Sequence, residues 1–176
     1  QLSYRLKDGV FLNAVRAAGG KMDMPLPDEA TAATVQSEVR TDGQVWRLYM
    51  DGTRSGSLIR ERSVTRNEIR VGSWLNGSVT PEGTARRPAD LSALPEDQVN
   101  AQQYAFKESV RVGDMVLLAT GQDRVGAVGV VTGEYRFDPH SDPVFSSDYA
   151  HARPVRWLAT GLDVRAQDVT GKTFAP

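Results

Sequence analysis

Aromatic rings and guanidinium groups gathered near strand ends are the residues of this sequence with the clearest chemical use. Trp74 follows the apolar run "IRVGS" and precedes "LNGS", while Tyr135 and Phe137 close the stretch "GAVGVVTGEYRF". Arg70, Arg136, Arg153 and Arg156 stand beside these rings along the chain. Flat rings so placed can sandwich a nucleobase while guanidinium forks hold the neighbouring phosphates. Each ring taken singly fits a core position as well, and Trp46 and Trp157, which lie inside apolar strands, are expected in the core. The cationic residues favour arginine, seventeen against four lysines, and arginine pairs bidentately with phosphate and stacks on rings in ways lysine does not. A GC-rich genome gives the same bias. Between Arg54 and Arg70, the five arginines Arg54, Arg60, Arg62, Arg66 and Arg70 face only Glu61 and Glu68. That excess suits a phosphate backbone, or else a solvated helix face.

Catalytic constellations are sparser. His140 and His151 stand eleven residues apart amid Asp138, Asp142 and Asp148, so a metal site or general base in a small-ligand or enzymatic domain is conceivable there. Their spacing matches no established ligand pattern. "VTGKT" ends like a phosphate-binding loop, but the required first glycine is Ala166, and no apolar strand precedes it. No serine sits in a nucleophile elbow. With no cysteine there is neither a disulfide framework nor a thiolate metal site, which fits a cytosolic protein. The chain therefore reads as a binding module, with no catalytic residue, metal or cofactor expected.

The elements that must position these residues fit in 176 residues as one domain with an appendage. The net charge of -1 argues against a general polyanion binder, and no run approaches the ~18 apolar residues of a membrane span. No secretory leader is expected. Residues 1–40 read as a helical lead: Val10, Phe11, Ala14, Val15 and Ala18 share a helical face before Gly19-Gly20, and Asp28 can cap a second helix. From 41 onward strands dominate. "QVWRLYMDGT" alternates Val45, Arg47 and Tyr49 with Trp46, Leu48 and Met50, and "NEIRVGSW" is a second short strand. Residues 77–95 read as a long loop, followed by a helix in "EDQVNAQQYAFKESV" with Val99, Tyr104 and Phe106 inward. "DMVLLAT" and "RVGAVGVVTGEY" make a hairpin in which Gly126 and Gly129 permit a sharp curve or a close backbone approach, and "RPVRWLATGLDV" closes the sheet. The fold class is α+β, a curved mixed sheet or small barrel with flanking helices.

Gly113-Asp114 opening an apolar strand, Val131-Thr132-Gly133-Glu134-Tyr135, and His151-Ala152-Arg153-Pro154-Val155-Arg156-Trp157-Leu158 together resemble a family pattern. It is that of EVE-type domains of the PUA-like superfamily, related to YTH readers, in the version found in Mcr-type modification-dependent restriction NTPases. The resemblance covers about Val45 to Phe174, more specifically in its second half. It implies a module that recognises a modified base, 5-methylcytosine or 5-hydroxymethylcytosine ahead of N6-methyladenine, flipped from double-stranded DNA into an aromatic pocket. By position Trp74 matches the cage tryptophan, with Ser73, Leu75 and Asn76 beside it and Tyr135 and Phe137 as further walls. Arg54, Arg60, Arg62, Arg66, Arg70, Arg136, Arg153 and Arg156 would hold the nucleic-acid backbone. The implied partners are an NTPase motor and a nuclease of a prokaryotic, cytoplasmic restriction system acting in phage defence. A modified-RNA reader of the same fold is the alternative. "YRLKDGVFLNAVRAA" also bears a weaker resemblance to a helix of the Mcr-type GTPase motor, as if the lead were a fragment of an adjoining NTPase domain.

Overall fold

The five residues Met115–Ala119 are all buried, and the domain is layered around them. An uninterrupted apolar strand of this kind is covered on both faces, unlike one that alternates against solvent. The computed structural model describes residues 3–5, 40, 42–49, 54–72, 90–96, 99, 101–139, 142–145 and 149–166, with the backbone alone at 3–5 and 54–56. In chain order the elements are β1 (Ser3–Arg5), β2 (Gln44–Tyr49), α1 (Arg54–Thr65), β3 (Glu68–Val71), a 3-10 turn at Leu91–Ala93, α2 (Ala101–Tyr104) and a π-helical segment (Ala105–Ser109). They continue with β4 (Met115–Ala119), β5 (Arg124–Val131), β6 (Arg136–Phe137), β7 (His151–Ala159) and β8 (Val164–Arg165).

The strands form one mixed sheet in the order β1-β2-β4-β5-β7-β3, with β6 added to β7 and β8 to β5. Among the described strands only the β2–β4 pair is parallel. Together with α1 and α2 this is the α+β class with a bent mixed sheet that the sequence predicts. The chain start differs: Ser3–Arg5 is a strand on β2, while the helices expected between 6 and 39 lie outside the described residues.

Alternation along β2 and β4 sorts side chains to two faces. Val45, Met115 and Leu117 join Val125, Val128, Leu162 and Val164 on one side. Trp46 and Val116 join Ile69, Phe106, Val110, Val131 and Val155 on the other. A third cluster, Ile59, Leu118, Ala127 and Phe145, seats α1. Each fully buried Val, Leu or Ile stabilises by about 1.5–3 kcal/mol, so these clusters carry most of the folding free energy. Phe106 is inward as expected, but Tyr104 is 44% exposed; the four residues of α2 turn it to solvent.

The bend comes from β5. A Cβ on Gly129 would lie 2.5 Å from Val155 Cγ1 and 2.8 Å from Trp157 Cε3, and the β5–β7 register shifts between Val128 and Gly129. A bulge of this kind bends a strand and increases its twist. The close approach expected of Gly126 is present too, since a Cβ there would meet Thr120 Cγ2 at 2.4 Å. Asp114 fixes the centre: its carboxylate accepts from Trp46 Nε1 at 2.8 Å and from the backbone N–H groups of Gln44 and Arg111 at 3.0 Å each. That is the physical content of the Gly-Asp pair, with Gly113 at φ 88° turning the chain into β4.

Candidate nucleic-acid interface

The edge of the sheet that carries the sequence-predicted rings is built on the first half of β7. There His151–Pro154 pair with β3 on one side, and His151 and Ala152 pair with β6 on the other. The chain reaches β3 through a tight turn: α1 ends at Thr65, and Asn67 adopts φ 53°, a left-handed conformation asparagine tolerates better than most residues. Its carbonyl accepts from Val155 N–H at 2.8 Å, locking the turn to β7. At the far end of β3, Val71 stands opposite His151. Gly72 follows, its carbonyl accepting from the buried side chain of Gln103 at 3.2 Å. Trp74, Ser73, Leu75 and Asn76 come next in sequence and lie outside the described residues, as does His140.

Tyr135 and Phe137 do gather at this edge, though not as the end of β5. The hairpin strand stops at Val131, and Arg136-Phe137 form the separate short strand β6. The cause is local: a Cβ at Gly133 would lie 2.7 Å from Pro154 Cγ, and proline has no N–H to continue the ladder. Both rings meet the imidazole of His151. The Tyr135 ring stacks on it with centroids 5.9 Å apart, and the Phe137 ring lies at 5.7 Å, tilted by 36°.

His151 is a strand residue. It opens β7 with 1% of its surface exposed, and its Nδ1 lies 2.9 Å from the Tyr135 hydroxyl. The same hydroxyl lies 3.1 Å from Asp90 Oδ1 and accepts from Leu91 N–H at 3.2 Å. Burial pushes the imidazole pKa down to about 4, against the weaker pull of the Asp90 charge, so the ring is neutral at neutral pH. Burial also raises the Tyr135 phenol. At Asp90 burial opposes ionisation, but the Ser92 N–H and the Tyr135 hydroxyl outweigh it and hold the carboxyl below its usual range. Among the described residues no three His, Cys, Asp or Glu side chains could share an ion; His140 and Asp148 lie outside those residues.

The arginines expected on a phosphate backbone divide sharply. Arg70 and Arg153 are each 1% exposed, which corrects their placement at a surface. Arg70 bonds Glu68, the Asp138 and Tyr149 carbonyls and the Asp138 carboxylate, with its guanidinium 4.4 Å from the centre of the Phe145 ring. Arg153 donates to the Phe106, Lys107 and Gly133 carbonyls and pairs with Glu134 at 3.4 Å. Five guanidinium donors per side chain explain the choice, since a buried arginine can satisfy several carbonyls that end without a ladder partner. Arg62 and Arg66 reach Asp142 at 2.7 and 3.4 Å, Arg66 also pairs with Glu68 at 3.0 Å, and Arg136 pairs with Glu68. The Val144 N–H, with Arg62 and Arg66, holds the Asp142 carboxyl below its usual range. The excess positive charge of residues 54–70 is thereby tied largely to Glu68, Asp138 and Asp142. Arg60 and Arg156 are half-buried, and the Arg54 side chain is outside the described residues. Trp46 is a core residue, whereas Trp157 is partly buried against the core, its indole donating to the Ser63 carbonyl at 3.2 Å.

Glu68, Asp90 and Gln103 are the site residues that sequence reasoning missed. Glu68 alternates with Ile69 like any strand residue, and only the arginines at 66, 70 and 136 around it hint that it is a buried hub. A separate cleft of about 570 Å³ runs beside α1. Ser57, Arg60, Glu61 and Val64 line it, a different stripe of the helix from the one that reaches Asp142. No helix among the described residues is long and apolar enough to cross a membrane.

The family model described as "Domain of unknown function (DUF8426)" matches residues 46–175, and the chain belongs to that family. No curated protein matches the chain. Among solved structures it is similar to the YTH domain of the Zygosaccharomyces rouxii MRB1 protein, which was crystallised with N6-methyladenosine RNA. The identity is 18% and the TM-score 0.40, over 73% of this chain and 66% of that one, so the chain spans just under two thirds of that domain's length.

Proposed function

Because the chain belongs to a family whose description leaves its activity open, we propose from its residues that it reads a modified base in nucleic acid. In this reading the base is flipped from duplex DNA and held at the β3/β6/β7 edge, with no bond made or broken. One observation carries the proposal: Tyr135, Phe137 and His151 form an aromatic wall at the edge where β3 hands the chain on toward Trp74. The sequence resemblance to EVE-type domains supports the same assignment and adds cytosine modifications as the favoured target. It also adds a place in a prokaryotic modification-dependent restriction complex whose NTPase and nuclease lie on other domains or subunits.

The energetics are sufficient. Extruding a base costs a few kcal/mol, and stacking returns about 1–3 kcal/mol per base before any phosphate contact. A methyl group adds little area, so discrimination requires a close-fitting wall that also pairs the edge of the base. Titration of otherwise identical duplexes carrying cytosine, 5-methylcytosine, 5-hydroxymethylcytosine or N6-methyladenine tests the proposal. The expected result is preference for one modified base, lost in Trp74→Ala while the fold persists by circular dichroism. Equal affinity across the panel sinks it. Competition with single-stranded RNA carrying the same modification separates a DNA from an RNA reader.

A further inference from the structure

The Tyr135 hydroxyl has three partners and one proton. Leu91 N–H donates to its oxygen, and Asp90 Oδ1 and His151 Nδ1 lie within 3.1 and 2.9 Å. An ionised carboxylate only accepts, so the phenolic proton is directed to Asp90. The phenol oxygen is then the acceptor for His151, and Nδ1 must carry the imidazole proton. A neutral imidazole has only one such proton. The other nitrogen, Nε2, is therefore a bare lone pair, and it is buried with no hydrogen-bond partner. Unpaired buried acceptors are uncommon in native proteins and call for an explanation. This one lies in a ring stacked on Tyr135 and approached by Phe137.

We infer that His151 Nε2 accepts a hydrogen bond from the exocyclic amino group of the bound base, selecting amino-bearing cytosine or adenine derivatives against their oxo counterparts. This rests on the reader function proposed above. Tyr135 and Asp90 are the positioning residues: they fix which ring nitrogen is protonated. An oxo base would turn its own lone pair toward that of Nε2, and sites built around one hydrogen bond reject ligands that cannot make it far better than apolar pockets reject an extra methyl.

The test uses pairs of duplexes matched in shape at one position: 5-methylcytosine against thymine, 5-hydroxymethylcytosine against 5-hydroxymethyluracil, and N6-methyladenine against 6-methoxypurine, which keeps the methyl group on an oxygen and has no N–H to donate. The pair whose modified base the protein prefers gives the readout. The amino member is expected to bind at least tenfold more tightly, although the mispaired oxo base is the easier to extrude. In Asp90→Ala the carboxylate that takes the phenolic proton is gone while Leu91 N–H still donates to the phenol oxygen, so the phenolic proton turns to Nδ1 and the imidazole proton moves to Nε2. The amino preference should then fall to within twofold or reverse. His151→Phe should abolish it while keeping the stacked rings. Nitrogen-15 NMR of the imidazole reads the tautomer without any ligand, with the proton on Nδ1 in the wild type and on Nε2 in Asp90→Ala. A wild-type ring protonated on Nε2 overturns the inference whatever the binding data. So does a protein that separates modified from unmodified bases but not amino from oxo; that outcome leaves the reader function standing and gives Nε2 to an internal water. Equal binding of every duplex overturns the reader function and this inference with it.

Discussion

The two halves of β7 belong to one strand but live in different chemistry. Val155–Ala159 lie against β5, where Val155 joins an apolar cluster with Trp46, Phe106 and Val131. His151–Pro154 lie between β3 and β6, where the fully buried side chains include His151, Arg153, Arg70 and Glu68. The first kind of environment is stabilising by area alone. The second takes charges out of water, and replacing such groups by apolar ones is often neutral or better for stability. A buried polar edge thus stands beside a conventional apolar core.

The sharpest way to break the contrast is Glu68→Ala, which removes the buried carboxylate shared by Arg66, Arg70 and Arg136 and leaves Asp138 as the remaining anion of buried Arg70. Removing one partner of a buried pair costs about 3–5 kcal/mol, and urea denaturation should register a loss of that size. Acid comes next. His151 has a folded pKa of about 4 against an ordinary value of 6.5, so the unfolded chain takes the proton first. Its contribution to stability is complete above pH 6.5 and is lost progressively as pH falls from 6.5 to 4. The loss reaches roughly 3 kcal/mol at 1.36 kcal/mol per unit, and denaturation midpoints across that window should flatten in His151→Gln. On the apolar half, Val155→Ala should cost roughly 1.5–3 kcal/mol with no pH dependence of its own. Smallest is Arg60→Ala, where binding to all duplexes should weaken alike and the slope of log affinity against log salt should drop by about 1. A base-selective effect of Arg60 would assign it to readout instead.

The same contrast explains what was legible in the sequence. Met115–Ala119 was readable as a buried strand from its unbroken apolar run, and Gln44–Tyr49 from the turn formers that bound it. Gly126 and Gly129 announced close packing because only a missing Cβ fits there. Arg70 and Arg153 were misread for a physical reason: composition counts charge but cannot show whether a guanidinium faces phosphate or carbonyls. His151 looked like part of an acidic loop because Asp138, Asp142 and Asp148 precede it. Its true partners, Asp90 and Tyr135, lie 61 and 16 positions away, a separation no local pattern encodes. Tyr135 and Phe137 were assigned to the wrong strand, because Gly133 and Pro154 interrupt a run that reads as continuous.

The parallel pairing of β2 with β4 sets Val45 beside Met115, and it has a kinetic corollary. Bringing those two positions together closes a loop of about 70 residues, whose entropic toll must be met before its contacts reward it. The α1 helix, β3 and the Asp90 turn all belong to that loop. The chain should thus refold slowly for its size, and Asp114, which clasps the closure from Met115's side through the Trp46 indole, is where a mutation should slow refolding more than it hastens unfolding.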